Sequence, residues 1–269
     1  MTHYRRSLVL PEQELVVVEG QPTGELYDAQ WNRLLAVSLQ DGTPRHETPL
    51  DGRSVWALGA SPDGTRLAVL PWDGDDEASL WDVTRWCPLS TLEPLPEDFR
   101  PQGCAISADG RWVATAGRGS SSSPGKSGAV LIWDAATGAI RCLLSVEAPL
   151  AGEPVLHPTE PLFAVATTHG TLLVVDPEAG RIVRTLGGFR GDTTHLSFSP
   201  DGSLLLRTGY FYFDLHRFED GARLFAHENR SEMTACHAVF SPDGTRIAWT
   251  EDSGTVSLWE VADTPSRAL

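Results

Sequence analysis

The apolar residues of this chain come in short runs bounded by turn residues. Arg66-Leu-Ala-Val-Leu70, Trp112-Val-Ala-Thr-Ala116, Leu162-Phe-Ala-Val-Ala166, Leu204-Leu-Leu-Arg207 and Ile247-Ala-Trp-Thr250 each follow a polar turn. Runs this short, rich in β-branched and aromatic residues, predict strands rather than helices. The turns before them are copies of one another: Ser61-Pro-Asp-Gly64, Ser107-Ala-Asp-Gly110, Ser199-Pro-Asp-Gly202 and Ser241-Pro-Asp-Gly244, with His157-Pro-Thr-Glu160 as a degenerate fifth. Pro presets φ, Asp and Ser bond to nearby backbone, and Gly accepts positive φ, so each copy predicts the same tight turn. Successive copies start 46, 50, 42 and 42 residues apart, the period of a four-stranded sheet repeated around an axis.

Each repeat then continues in the same way. A further strand ends at Leu80-Trp-Asp-Val83, Ile132-Trp-Asp-Ala135, Val174-Val-Asp176 or Leu258-Trp-Glu-Val261. A second turn, plainest in Asp134-Ala-Ala-Thr-Gly138, leads to an outer strand such as Ile140-Arg-Cys-Leu-Leu144 or Ile182-Val-Arg-Thr-Leu186. The apolar run before each Ser-Pro-Asp-Gly turn, such as Val55 to Leu58 or Leu196 to Phe198, supplies the remaining strand.

Four strands per repeat, with Trp-Asp near the end of the third, resembles the WD40-like β-propeller family. The resemblance covers residues 51 to 269 well and residues 1 to 50 poorly. No repeat opens with Gly-His, so the family's buried Asp-His-Ser/Thr-Trp network does not carry over. Val175 stands at the Trp position of the fourth blade and His216 at that of the fifth. The fold class expected is therefore all-β: a single propeller domain over 1–269, with six blades of four antiparallel strands and seven as the alternative. Residues 1 to 50 must supply the first blade from Glu14 to Glu19, Arg33 to Ser38, and two flanking strands, Arg6 to Leu10 and Arg45 to Pro49. In a rival arrangement, Arg6 to Leu10 joins the last blade as a closing strand, since ring closure removes exposed sheet edges.

Composition narrows the class of function. The net charge is −15, which repels nucleic acid and anionic membranes, because affinity for either comes largely from Lys and Arg neutralising phosphates. No apolar run approaches the ~18 residues of a membrane span. The N-terminus lacks the apolar core and small-residue cleavage site of a secretion signal. Cys87, Cys104, Cys142 and Cys236 stand singly, without metal or disulfide spacing, which points to a reducing cytoplasm.

Motifs that carry chemistry are few. Gly119 to Ser127 looks like a phosphate-binding loop, but five residues rather than four separate Gly119 from Gly125-Lys-Ser127, and a strand follows instead of the required helix. It reads as a flexible Gly/Ser surface loop. Asp73, Asp75, Asp76 and Glu77 cluster in one turn but lack the alternation and distal Glu of a calcium loop. The eight His are dispersed, and no nucleophile motif is present. Neither cofactor nor metal is expected.

The reading that remains is a non-catalytic scaffold binding a protein partner. In WD40-like propellers the second-to-third-strand turns and the connections between blades share one face, which the resemblance places here at 72–77, 93–102, 117–128, 168–170, 209–212 and 251–254. The partner-binding residues expected there are Trp72, Asp73, Asp75, Asp76, Glu77 and Phe99, where aromatic anchors sit among steering charges suited to a basic segment. Tyr210 and Tyr212, which replace a polar turn in the fifth blade, join them. The alternative is a small-ligand or metal site in the central channel, hydrolysis included.

Overall fold

A computed structural model describes residues 7–20, 33–50, 55–71, 77–96, 99–118, 128–187, 193–209, 212–228, 237–250 and 255–261. They form six antiparallel sheets whose strands follow one another in chain order. The first blade holds β1 (Ser7–Leu10), β2 (Leu15–Gly20), β3 (Arg33–Ser38) and β4 (Pro44–Pro49), and the second holds β5 (Val55–Ala60), β6 (Arg66–Pro71), β7 (Ser79–Asp82) and β8 (Cys87–Thr91). The third holds β9 (Arg100–Ile106), β10 (Trp112–Arg118), β11 (Gly128–Asp134) and β12 (Ile140–Val146). The fourth holds β13 (Leu150–Leu156), β14 (Phe163–Thr167), β15 (Leu172–Asp176) and β16 (Arg181–Leu186). The fifth holds β17 (His195–Phe198), β18 (Leu204–Thr208), β19 (Tyr212–Arg217) and β20 (Arg223–Glu228). The sixth has three strands among the described residues: β21 (Ala238–Phe240), β22 (Arg246–Thr250) and β23 (Val256–Glu260).

Within the first fifty residues, the described segments 7–20 and 33–50 thus form a blade of their own. Ser7 to Leu10 pair with Leu15 to Val18, which corrects the rival arrangement in which this strand closes the last blade. The reason is local. Pro11–Gln13 form one 3-10 turn and Glu14 takes a left-handed conformation, so the chain reverses at once and β1 pairs with its immediate successor.

The Ser-Pro-Asp-Gly turns are alike in atomic detail. Ser61 Oγ donates to Asp63 Oδ1 at 2.5 Å and accepts from the Arg66 amide at 3.0 Å, while Asp63 Oδ1 accepts from the Thr65 amide. The same bonds recur about Ser199 and Asp201 and about Ser241 and Asp243. Gly64 closes the turn at φ +63°, where a Cβ would be strained. In the fourth blade His157 replaces Ser: its Nδ1 accepts from the Glu160 amide at 3.1 Å, and its Nε2 lies 3.1 Å from the carbonyl of Gly202 in the next blade. This is one of a series of stitches along the turn face. Gln13 donates to the Asp63 carbonyl, Arg66 to that of Gly110, and Arg111 to the Glu178 carboxylate, joining blades one to two, two to three and three to four.

The third strands share a second signature. Pairing with the fourth strand slips by one residue between Ala36 and Val37, Leu80 and Trp81, Ile132 and Trp133, Val174 and Val175, and Leu215 and His216. A bulge of this kind sharpens strand twist, and it puts Val37, Trp81, Trp133, Val175 and His216 in one equivalent place. The residues on either side of the bulge face opposite neighbours. Leu80 packs into the seam with the third blade, alongside Trp133, whereas Trp81 packs into the seam with the first. The core is accordingly a series of sandwiches, one per seam, from the first blade through to the sixth.

The Trp residues that recur near the ends of the third strands differ in burial. All of Trp81, Trp133 and Trp259 are expected from sequence to be buried, yet only Trp133 is fully so. Its Nε1 donates to the Glu93 carbonyl at 2.9 Å beneath the connection between blades two and three. Trp81 and Trp259 are half-buried; Trp81 shares its seam with Trp86 at 5.9 Å, and Trp259 lies on the last described blade beside His227 at 4.8 Å. Trp133→Ala is therefore expected to lower unfolding free energy by about 3–5 kcal/mol in urea melts, and Trp81→Ala and Trp259→Ala by distinctly less.

Candidate functional site

The first strands of successive blades lie against one another around the axis and enclose a cavity of about 500 Å³. All six blades reach it, through Leu8, Gly59, Cys104, Glu153, His195 and Phe240 among others. Close approach of these strands depends on missing side chains. A Cβ on Gly59 would stand 2.5 Å from the Cys104 carbonyl oxygen, and one on Gly103 would strike the Glu153 side chain. The cavity reaches the Ser-Pro-Asp-Gly face, where Pro62, Pro158, Pro200 and Pro242 rim it. A second cavity of about 480 Å³ lies on the same face between the fourth and fifth blades, lined by His157, Glu160, Arg184, Asp201, Arg217 and Glu219 among others. The turn face, which the sequence presents as uniform and structural, therefore bears both of these recesses.

His195 lines the axial cavity together with Glu153 and Cys104. Burial pushes its pKa down from 6.5 to about 4, and the imidazole of His237, 5.6 Å away between ring centroids, adds to the shift. At neutral pH it is a neutral imidazole beside another imidazole. Among the described residues, no group of three or more His, Cys, Asp or Glu side chains gathers as metal ligands do. The turn carboxylates are committed to the Ser hydroxyl and to side-chain and backbone donors of their own turns. Bonds from Ser241 and Thr245 hold Asp243 down to about 2, and the Asp63 and Asp201 carboxyls are lowered in the same way.

The residues expected to bind a partner fare differently from one another. Trp72, Asp73, Asp75, Asp76 and Tyr210 lie outside the described residues, as does the loop 119–127. Glu77 is exposed. Phe99 requires a correction: it is 2% exposed and cannot anchor a partner. The Pro-rich connection after the second blade folds back over the seam with the third, burying Leu92, Leu95 and Phe99 in one cluster with Leu131 and Trp133. The Phe99 ring fits there because Gly117 offers no side chain; a Cβ would sit 3.0 Å from it. The acidic residues around Phe99 in the sequence, Glu93 among them, suggested a surface position, but the alternation of Leu, Pro and Phe marked the buried side.

Tyr212 is half-buried at the start of β19, with the Arg207 guanidinium 4.7 Å from its ring centroid. Beneath it lies a charged network that sequence reasoning missed. Arg207 Nη2 donates to Asp214 Oδ2 at 2.6 Å, its Nη1 donates to Thr193 Oγ1 at 3.3 Å, and His216 Nε2 stands 3.8 Å from the same carboxylate oxygen. Both side chains of the ion pair are nearly inaccessible. Burial alone raises the pKa of Asp214, but hydrogen bonds from His216 and Arg207 outweigh it and leave the carboxyl below its usual range. The available signal was Arg207 itself, a charge ending an otherwise apolar strand run. The network fixes the end of the fifth blade and positions Tyr212.

No protein-family model matches the chain. The WD repeat-containing protein SL1-17 of Schistosoma mansoni is 24% identical over 178 residues, which cover 50% of this chain and 59% of that protein. The chain thus spans about three fifths of the relative's length. Among solved structures, the C-terminal WD40 domain of Sif2 superposes with a TM-score of 0.70 at 13% identity, over 98% of this chain and 69% of that one.

The buried imidazole makes stability pH-dependent in a stated window. Well above pH 6.5 His195 is neutral in both folded and unfolded chain and the contribution is constant. As pH falls from there towards 4, the unfolded chain takes up a proton that the folded one refuses, so stability falls. Thermal melts at successive pH values should show His195→Gln losing part of the decline between pH 6.5 and 4 while leaving the plateau above pH 7 in place.

Proposed function

We propose that this WD40-like propeller is a single, non-catalytic scaffold domain that holds a protein partner on the face opposite the Ser-Pro-Asp-Gly turns. WD40 homologues suggest a protein-interaction role in general terms; the partner and the face are the proposal. One observation carries it. First-to-second-strand turns vary only from four residues (11–14) to six (157–162), whereas second-to-third-strand connections run from three (209–211) to twelve (21–32). A rigid repeated frame with length variation confined to one face is the arrangement in which recognition is carried by loops.

The acidic turn at 72–77 is the part of that face we assign to the partner, with Trp72 as its aromatic anchor and Tyr210 and Tyr212 as a second aromatic position. Phe99 drops out, because it is consumed by the core. A partner segment rich in Lys and Arg fits the chain's charge of −15. Exposed carboxylates chiefly speed association and make it salt-sensitive, since screening at 0.15 M salt acts over ~8 Å. The desolvated aromatic contributes more of the affinity. A ligand in the axial cavity is the second reading, favoured by the cavity's size and its apolar strand lining.

The test uses a partner captured from native cells. Its on-rate should fall as salt rises, and should fall again with Asp73→Asn, Asp75→Asn, Asp76→Asn and Glu77→Gln combined. An unchanged on-rate with unchanged salt dependence would place the binding surface elsewhere.

A further inference from the structure

Four histidines divide into two pairs by what their rings touch. His157 and His216 are buried and their rings are used. His157 accepts from the Glu160 amide and lies 3.1 Å from the Gly202 carbonyl. His216 lies 3.2 Å from the Gly221 carbonyl, with its other ring nitrogen 3.8 Å from the Asp214 carboxylate. His195 and His237 differ. Beyond the strand ladder, their bonds are made by the main chain: the Thr208 hydroxyl donates to the His195 carbonyl and the Thr250 hydroxyl to that of His237, whose amide donates to Thr250 Oγ1. Among the described residues, no hydrogen bond holds a ring nitrogen of either.

The two rings occupy one place in the repeat. His195 stands four residues before Ser199, and His237 four before Ser241. The same count gives Ala57 in the second blade, Gly103 in the third and Glu153 in the fourth. The frame accepts a small residue here and does not itself require imidazole. The first strands of the fifth and sixth blades lie side by side, so the equivalent positions bring the rings together, with centroids 5.6 Å apart and planes inclined at 57°. Two imidazoles bound to one metal at ~2.1 Å place their centroids about 5.3 Å apart at a tetrahedral angle. The observed spacing is close to that. Thr208 and Thr250 pin both main chains, so the rings stand on a rigid base. His195 lines the axial cavity, which has room for an ion and its waters, and His237 is exposed.

We propose that His195 and His237 form a metal site in the wall of the axial cavity, where their ring nitrogens bind one late transition ion of the Ni²⁺, Cu²⁺ or Zn²⁺ class and water completes the coordination. Imidazole suits these ions, whereas Mg²⁺ and Ca²⁺ take oxygen ligands. Among the described residues no third His, Cys, Asp or Glu side chain gathers with the pair, so the protein supplies two ligands. The site gives the axial-cavity reading a specific occupant and rests on it. A chain that bound an organic ligand there but no metal would overturn the site and leave that reading standing. Residues 73–77 take no part, so the two surfaces are tested separately.

Calorimetric titration of the purified chain with NiCl₂ at neutral pH should show one saturable site per chain, and MgCl₂ should show none. His237→Gln and, separately, His195→Gln should each weaken Ni²⁺ binding by at least about tenfold, no less than the loss of an outer-shell partner costs a metal site. His237 is exposed, so His237→Gln should leave the thermal midpoint of the metal-free chain unchanged and decides the matter even if His195→Gln folds poorly. His169→Gln, in the second-to-third-strand turn of the fourth blade, is the control and should bind as the parent does. In NMR spectra, paramagnetic Ni²⁺ should broaden the amides around residues 195 and 237 first. No saturable binding, binding that survives His237→Gln, or broadening centred elsewhere, as on Cys142, would each overturn the proposal.

Discussion

A sheet that is apolar on both faces has no stable existence alone in water, and this requirement governs the whole molecule. Each blade alternates so that odd and even positions of a strand serve opposite neighbours: Leu80 looks one way, Trp81 the other. Stability is then held chiefly in seams rather than in sheets, and a blade is only as secure as the neighbours that cover it. The Ser-Pro-Asp-Gly turns and their stitches set the spacing that lets the seams close. The glycines of the first strands, Gly59 above all, let those strands meet around the axis.

The same requirement explains what was legible in the sequence. Turn chemistry is local, so the repeat, the strand order and the equivalence of Val175 and His216 with the Trp positions can be read from residues a few places apart. Burial is not local. Trp81 and Trp133 stand in identical local contexts and differ because one lies under a folded-back connection and the other does not. Phe99 was misplaced for that reason: its neighbours in sequence are charged, while its neighbours in space are Leu95, Leu131 and Trp133. Nor could alternation reveal that Val9 and Leu258 stand exposed, because both faces of a blade are apolar in sequence whatever covers them. The Arg207–Asp214 pair was missed because a charge in a strand reads as an irregularity until its partner across the ladder is known. Of the expected partner site, only Glu77 and Tyr212 are described at positions a partner can reach.

Function follows from where the frame is constrained and where it is not. Turns that stitch neighbouring blades vary little in length, and they rim two recesses. Second-to-third-strand connections vary more in length, and the proposed recognition face rests on that variation. The terminal blades occupy a third position: among the described residues, each packs on one neighbour and leaves apolar side chains such as Val9 and Leu258 exposed on its other face.

Hydrogen exchange of the isolated chain tests this account most directly, because amide protection reports how firmly each blade is held. Amides of β10, β11, β14 and β15, in blades covered on both faces, should be the slowest to exchange. Those of β2, β3, β22 and β23, in blades covered on one face, should exchange measurably faster. Equal protection in all six blades would contradict the account, since it would mean that the first and sixth are held on both sides like the rest.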